Sequence, residues 1–309
     1  MVDVSRPGVA TNLGLDPRKL VRVARFELAE ALRSRLISVV FALYGVGAAL
    51  GAYIFSKTLD AAEAAVREQM FGTLSAHSVP DDIVRQQALP RVISFLVDDA
   101  ELARELSSVD PLALFYGFMA LELVAPLVLM TSGGLHSGDI ATGAVRFVLT
   151  RCDRLTWALG KWLGHAVLLA VGLSVGALAT ALVAGVRSGI DAGSVLWLLR
   201  ASFRAWVYGL AYLGLFSWVA LAVRSPSRAR TLSILLLFAL WIGHSICNGG
   251  YFAERLPALR HLVWLFPAHY QLALWSPSWL ASVPAIVALL AIGLGALALG
   301  HAMFKRADA

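Results

Sequence analysis

Charge is what this 309-residue chain has least of. Asp, Glu, Lys and Arg make up 15% of it, hydrophobic residues 59%, and the mean hydropathy is +0.73. Soluble domains carry about 25% charged and 45–50% apolar residues, so a soluble globular class is excluded. Cysteine is nearly absent. Cys152 and Cys247 are the only two, and they fall near opposite faces of a membrane in the topology read below, which excludes a disulfide between them and offers no metal spacing. None of the seven histidines has a His or Glu four residues away on one helix, so metal ligation has no support. A phosphate-binding loop is missing too. The one Gly-Lys pair, Gly160-Lys161, is followed by Trp162 and opens an apolar run, so no nucleotide site is encoded. No catalytic cofactor is expected in this chain.

What the chain does have is long uncharged stretches. A helix needs about 20 apolar residues to cross the ~30 Å hydrocarbon core of a bilayer. Six runs qualify: Leu36–Phe55, Leu112–Leu135, Trp162–Val186, Ala205–Val223, Thr231–Ala253 and Trp279–Phe304. Only the second contains a formal charge, Glu122. The expected fold is all-α: a polytopic membrane protein with a six-span domain over 36–304. A cleavable signal peptide is not expected, because the first apolar run starts at Leu36, behind a basic stretch.

Lys and Arg placement orients the spans. With the N-terminus inside, segments 1–35, 136–161, 224–230 and 305–309 hold sixteen Lys/Arg and seven acids, and the outer segments hold ten and twelve. The net charge of +6 is therefore mostly topological. A nucleic-acid footprint would need a basic soluble domain, which is lacking. Both termini are expected in the cytoplasm of a bacterial inner membrane.

Residues 1–15 read as a loose tail and 305–309 as a short one. Asp16-Pro17 then starts a helix over 16–35. Leu20, Ala24, Leu28, Ala31 and Leu32 share one face, and Arg18, Arg22, Arg25 and Arg33 another. Such a helix lies along the inner leaflet with its arginines near anionic headgroups. The outer segment 56–111 is acidic, with helices expected over Ala61–Phe71 and over Asp81–Leu106, the latter interrupted by Pro90. Its apolar residues Ile83, Val92, Phe95, Leu96, Leu102 and Leu106 suit a small helical cap. Glu254–Ser278 is aromatic but broken by Pro257, Pro267 and Pro277, which suits short helices lying in or dipping into the outer interface. Gly47-x-x-x-Gly51 and Gly172-x-x-x-Gly176 permit close helix packing.

Two places invite a functional reading. Glu122 is a carboxylate in mid-span, which is costly unless it pairs or faces water. It suits a substrate path, or a network with Tyr116, Thr131 or a neighbouring helix. His165 and His244 are intramembrane polar groups that could face each other or the bundle interior. The second place is the inner loop 136–161, which reads as a docking surface for a cytoplasmic partner.

That loop carries Ser137-Gly138-Asp139, Gly143-Ala144, Phe147-Val148-Leu149-Thr150-Arg151 and Leu159-Gly160-Lys161. In these residues, and in its six spans and amphipathic leading helix, the chain resembles the permeases of ABC-2 type exporters (type V fold), with nitrous-oxide-maturation and gliding-type permeases as similar subfamilies. Asp139, Ala144 and Cys152 depart from the pattern, where Glu, Thr and Pro are commoner. The resemblance implies a separate ATPase subunit that binds ATP and Mg, and a second permease copy, the same or different. It implies a coupling helix around Gly143–Leu155 and an elbow helix over Asp16–Arg35. The docking set is then Gly138, Asp139, Gly143, Arg146, Thr150, Arg151, Arg154 and Lys161, flanked by Arg18, Arg22 and Arg25. The acidic 56–111 segment could meet an extracytoplasmic protein. Two other readings stay open: a proton-coupled secondary transporter using Glu122, and an intramembrane enzyme built from Ser174, Ser217, His165 and His244.

Overall fold

The computed structural model describes residues 16–75, 89, 93, 100–187, 189–248 and 259–307. The tail 1–15 and the end of the expected fifth span at Ala253 lie outside them. The described residues form helices and no strand. Helix α1 (Pro17–Arg33) starts where the Asp16 carboxylate accepts hydrogen bonds from the backbone N–H groups of Arg18 and Lys19. Pro17 takes the first helical position, where a missing N–H costs nothing.

Helix α2 (Arg35–Ser75) is longer than its apolar run. The sequence suggested a span ending at Phe55 and a separate helix over Ala61–Phe71. Instead one helix continues through both, because no Gly or Pro lies between Ala52 and Phe71 to stop it. Its upper part is tied to the end of another span: Arg187 donates to the Asp60 carboxylate at 2.6 Å. Helix α3 (Ala100–Leu106) buries Ala103 and Leu106 beside Leu89 and Ile93. The rest of the expected Asp81–Leu106 helix, with Pro90, Ile83, Val92, Phe95 and Leu96, falls outside the described residues.

Asp110 caps α4 (Pro111–Ser132) through the N–H groups of Leu112 and Ala113. Two short helices follow, α5 (Ser137–Thr142) and α6 (Ala144–Leu149), then α7 (Arg154–Arg187), α8 (Ala192–Ala222) and α9 (Pro226–Asn248). The chain then folds through α10 (Leu259–Leu262), two 3₁₀ turns (Val263–Leu265 and Pro267–Tyr270) and α11 (Gln271–Trp275) into α12 (Trp279–Ala307). Six helices, α2, α4, α7, α8, α9 and α12, are long and apolar enough to cross a bilayer.

Helix α8 is the centre of the bundle, packed most extensively on α12 and α4 and also on α7. It starts thirteen residues before the expected Ala205 because Asp191 caps it at the Ser194 N–H. Arg200 and Arg204, which precede the expected span, are therefore helical. Helix α9 stands apart: most of its apolar surface is uncovered. The Gly172 and Gly176 pair packs as expected, under Phe41 and Tyr44 of α2, and Gly51 meets Phe115, whereas nothing approaches Gly47. Cys152 and Cys247 are both free.

Candidate functional site

The elbow and the inner loop are locked together by one cation. Helix α1 lies on the first turns of α7, where Gly160 and Gly164 let the two backbones close. A Cβ at Gly160 would stand 2.7 Å from Val23 side-chain atoms, and one at Gly164 would stand 2.9 Å from the Ala24 carbonyl oxygen. This small-residue seam carries the same x-x-x spacing as the pairs singled out from the sequence, and it was overlooked because Gly160 had been read as part of a loop motif.

Between the two glycines sits Lys161, buried at 5% exposure. Its ammonium lies 3.0 Å from the Glu27 carboxylate of α1 and 2.8 Å from the Asp139 carboxylate of α5. Glu27 also lies 3.7 Å from Nδ1 of His165, whose Nε2 is 3.2 Å from the Thr131 carbonyl oxygen of α4. One cluster thus joins α1, α4, α5 and α7. Burial pushes the Glu27 carboxyl up from its ordinary value, and the Lys161 ammonium pulls it back. Glu27 was missed in the sequence because its partner is 134 positions away. Its place on the buried face of an otherwise apolar stripe was the available signal.

The predicted docking residues therefore divide. Lys161 faces inward and cannot meet a partner in this arrangement, and Asp139 is its counter-ion. Gly143 has φ +74°, a left-handed turn that a side chain resists, and it separates α5 from α6. The expected helix around Gly143–Leu155 is thus only Ala144–Leu149, followed by a turn in which the Thr150 hydroxyl donates to the Phe147 carbonyl. Arg146, Thr150 and Arg151 are exposed, Gly138 is half-buried, and the Arg154 guanidinium sits 5.5 Å from the Phe304 ring centre. The docking set expected from the sequence left out the most prominent side chain of α6, Phe147, which is 79% exposed. Arg18, Arg22 and Arg25 are exposed on α1, as expected.

The intramembrane polar residues do not form a single site. His165 belongs to the Lys161 cluster. His244 stands near the other end of the bundle, against Phe266 at 6.3 Å between ring centres. The two do not face each other. Nor does Glu122 join Tyr116 or Thr131. Tyr116 bonds to the Leu173 carbonyl and Ser202, and Thr131 to its own helix. The Glu122 carboxylate is exposed and accepts a hydrogen bond from the Gln271 amide of α11. Glu122 lies eleven residues into α4, about 16 Å at 1.5 Å per residue. The segment 259–275 must therefore dip about halfway along the bundle to reach it, a re-entrant course in accord with the break at Pro267. Among the described residues no group of acids, histidines and cysteines could hold a metal.

Six helices long enough to span a bilayer, an amphipathic elbow and a short helical loop held against it define a multi-pass membrane protein. The family model described as ABC-2 family transporter protein matches residues 21–309, and the chain belongs to that family. No curated protein matches it. The chain is thus a permease subunit of an ABC transporter, its membrane-spanning component.

Proposed function

We propose that this permease couples ATP hydrolysis by a separate cytoplasmic subunit to export, or to force transmission, across a bacterial inner membrane, with both of its own termini in the cytoplasm. The observation that carries the proposal is the Lys161 cluster. Load applied to α6 passes through α5 and Asp139 to Lys161, and from there at once to α1 through Glu27 and to α7 through the backbone of Lys161 itself. Interfaces tied in this way move as bodies between discrete arrangements instead of deforming locally.

The docking surface in this account is α6, with Phe147 as the apolar anchor and Arg146, Thr150 and Arg151 around it. Exposed aromatic and Arg side chains of this kind dominate interface energetics. ATP and Mg are bound by the partner. Arg18, Arg22 and Arg25 flank it or meet anionic headgroups. A second permease copy, the same or different, covers the open face of α9 and the side of α4 that bears Glu122. An uncovered carboxylate there would face lipid at a cost of a few kcal/mol or more. The acidic segment 56–111 is left for an extracytoplasmic partner.

The test is co-expression with the cognate ATPase subunit and purification in detergent. Co-elution that is lost in the Arg146→Glu/Arg151→Glu variant supports the docking surface. Wild-type permease that binds no ATPase, yet moves substrate down a proton gradient, contradicts it.

A further inference from the structure

At the end of the bundle opposite the elbow, two arginines of α8 lie close together. Arg200 and Arg204 lie one turn apart on α8. Both guanidinium carbons lie over the Trp279 ring, at 4.7 and 5.3 Å from its centre, and over Trp197, at 5.3 and 5.9 Å. Arg204 is 2% exposed. It donates to the Ser276 carbonyl at 2.7 Å and to the Ser282 hydroxyl at 3.2 Å, holding the end of the re-entrant segment against α8 and α12. Its Nε is buried without an acceptor, as is the Nε of Arg200. Neither guanidinium has a carboxylate partner among the described residues. The nearest acid along the helix, Asp191, is occupied as the α8 cap.

A buried cation without a counter-ion is strongly unfavourable, and the half-buried Arg200 one turn away repels Arg204. The aromatic faces offset part of this, but they carry no full negative charge. We propose that Arg200 and Arg204 together bind one phosphate-bearing anion at this end of α8, approached from the half-buried Arg200 side. The void beside Arg204, also lined by Trp197 and Trp275, has a volume of about 10 Å³ and admits no more than a water. The phosphate therefore sits outside it, bridged by the bidentate fork of Arg200, while Arg204 supplies charge from behind. Arg is suited to this task because its planar donors match phosphate oxygens two at a time. The depth suits a lipid headgroup: Arg204 is the residue before the uncharged run that starts at Ala205, and Trp belongs at that level. A free phosphorylated solute would present the same group. The site stands whether or not an ATPase docks at the other end.

The experiment uses full-length permease in detergent, stripped of lipid, with bound molecules counted by native mass spectrometry. Three probes are titrated separately: short-chain phosphatidylglycerol, the matching diacylglycerol without phosphate, and glycerol phosphate. The expected result is one phosphatidylglycerol per chain, weakened about tenfold in Arg200→Gln and only partly restored in Arg200→Lys, which keeps the charge but not the planar fork, with no comparable retention of diacylglycerol. Such a loss corresponds to ~1.4 kcal/mol. Glycerol phosphate binding of similar strength, and equally dependent on Arg200, assigns the site to a soluble anion. Arg204→Gln is a second variant, but it also releases Ser276, so Arg200 decides. If no phosphate-bearing probe depends on Arg200, the proposal is overturned.

Discussion

Glu27 and Lys161 meet at 3.0 Å inside the packing of α1 on α7, and the Asp139 carboxylate lies 2.8 Å from the same ammonium. Taking Lys161 away would leave two carboxylates close together in a buried place. Breaking a buried pair by removing one partner costs about 3–5 kcal/mol. Lys161→Met should therefore lower the apparent thermal midpoint of the purified protein strongly. Lys161→Gln combined with Glu27→Gln should recover part of the loss. A midpoint unchanged in Lys161→Met would mean that the three groups do not form the contact described.

The same cluster has a pH signature. Glu27 is held above its ordinary value of 4.5 by burial, so the folded state binds this proton more tightly than the unfolded chain does. Linkage then makes its contribution to stability largest at and below pH 4.5, and the contribution falls as pH rises through the raised value. The midpoint difference between wild type and Glu27→Gln should shift against wild type as pH climbs from 4.5, and then level off. A difference that is flat across that window, or grows in favour of wild type, would contradict the burial of this carboxyl.

Close approach of the elbow depends on Gly164, whose Cβ position lies 2.9 Å from a backbone oxygen and 3.0 Å from Glu27 Cβ. Because backbone cannot step aside, Gly164→Leu should displace α1, with a penalty of about 1–3 kcal/mol typical of overpacking. A cysteine placed at the buried Ala31, in a background without Cys152 and Cys247, should be slow to alkylate in the parent. It should become markedly faster when Gly164→Leu is added. Equal rates would show that the elbow is held elsewhere.

Glu122 is satisfied by the Gln271 amide, and a neutral amide can accept the same bond. Glu122→Gln should then keep ATP-driven activity within about fivefold, since exchanging a charged for a neutral hydrogen-bond acceptor is worth roughly 1 kcal/mol. Glu122→Leu should lose more, by orphaning Gln271. Complete loss in Glu122→Gln, with flux following a proton gradient, would favour a secondary transporter.

Much of this architecture could be read from residue order. Length and the lack of charge place the spans, because a bilayer admits few alternatives to a closed helix, and Asp16-Pro17 marks the elbow start. Two kinds of feature were not accessible. The continuation of α2 past Phe55 follows from an absence, since no breaker interrupts the helix as its composition turns polar. The contacts of Glu27, Gln271 and Arg204 join residues far apart in sequence, and nothing in a local window announces them. Phe147 was read as one of a hydrophobic run when it is the side chain that run exposes.

The most direct test of the account is a site-specific photocrosslink from α6. A photoreactive residue would be placed at Phe147, and as a control at Leu182, exposed on the flank of α7 well away from the elbow. Each permease would be co-expressed with the ATPase subunit and irradiated. The expected result is an adduct at the summed mass from position 147 and none from position 182. No adduct from 147, or equal yields from both, would contradict α6 as the docking helix.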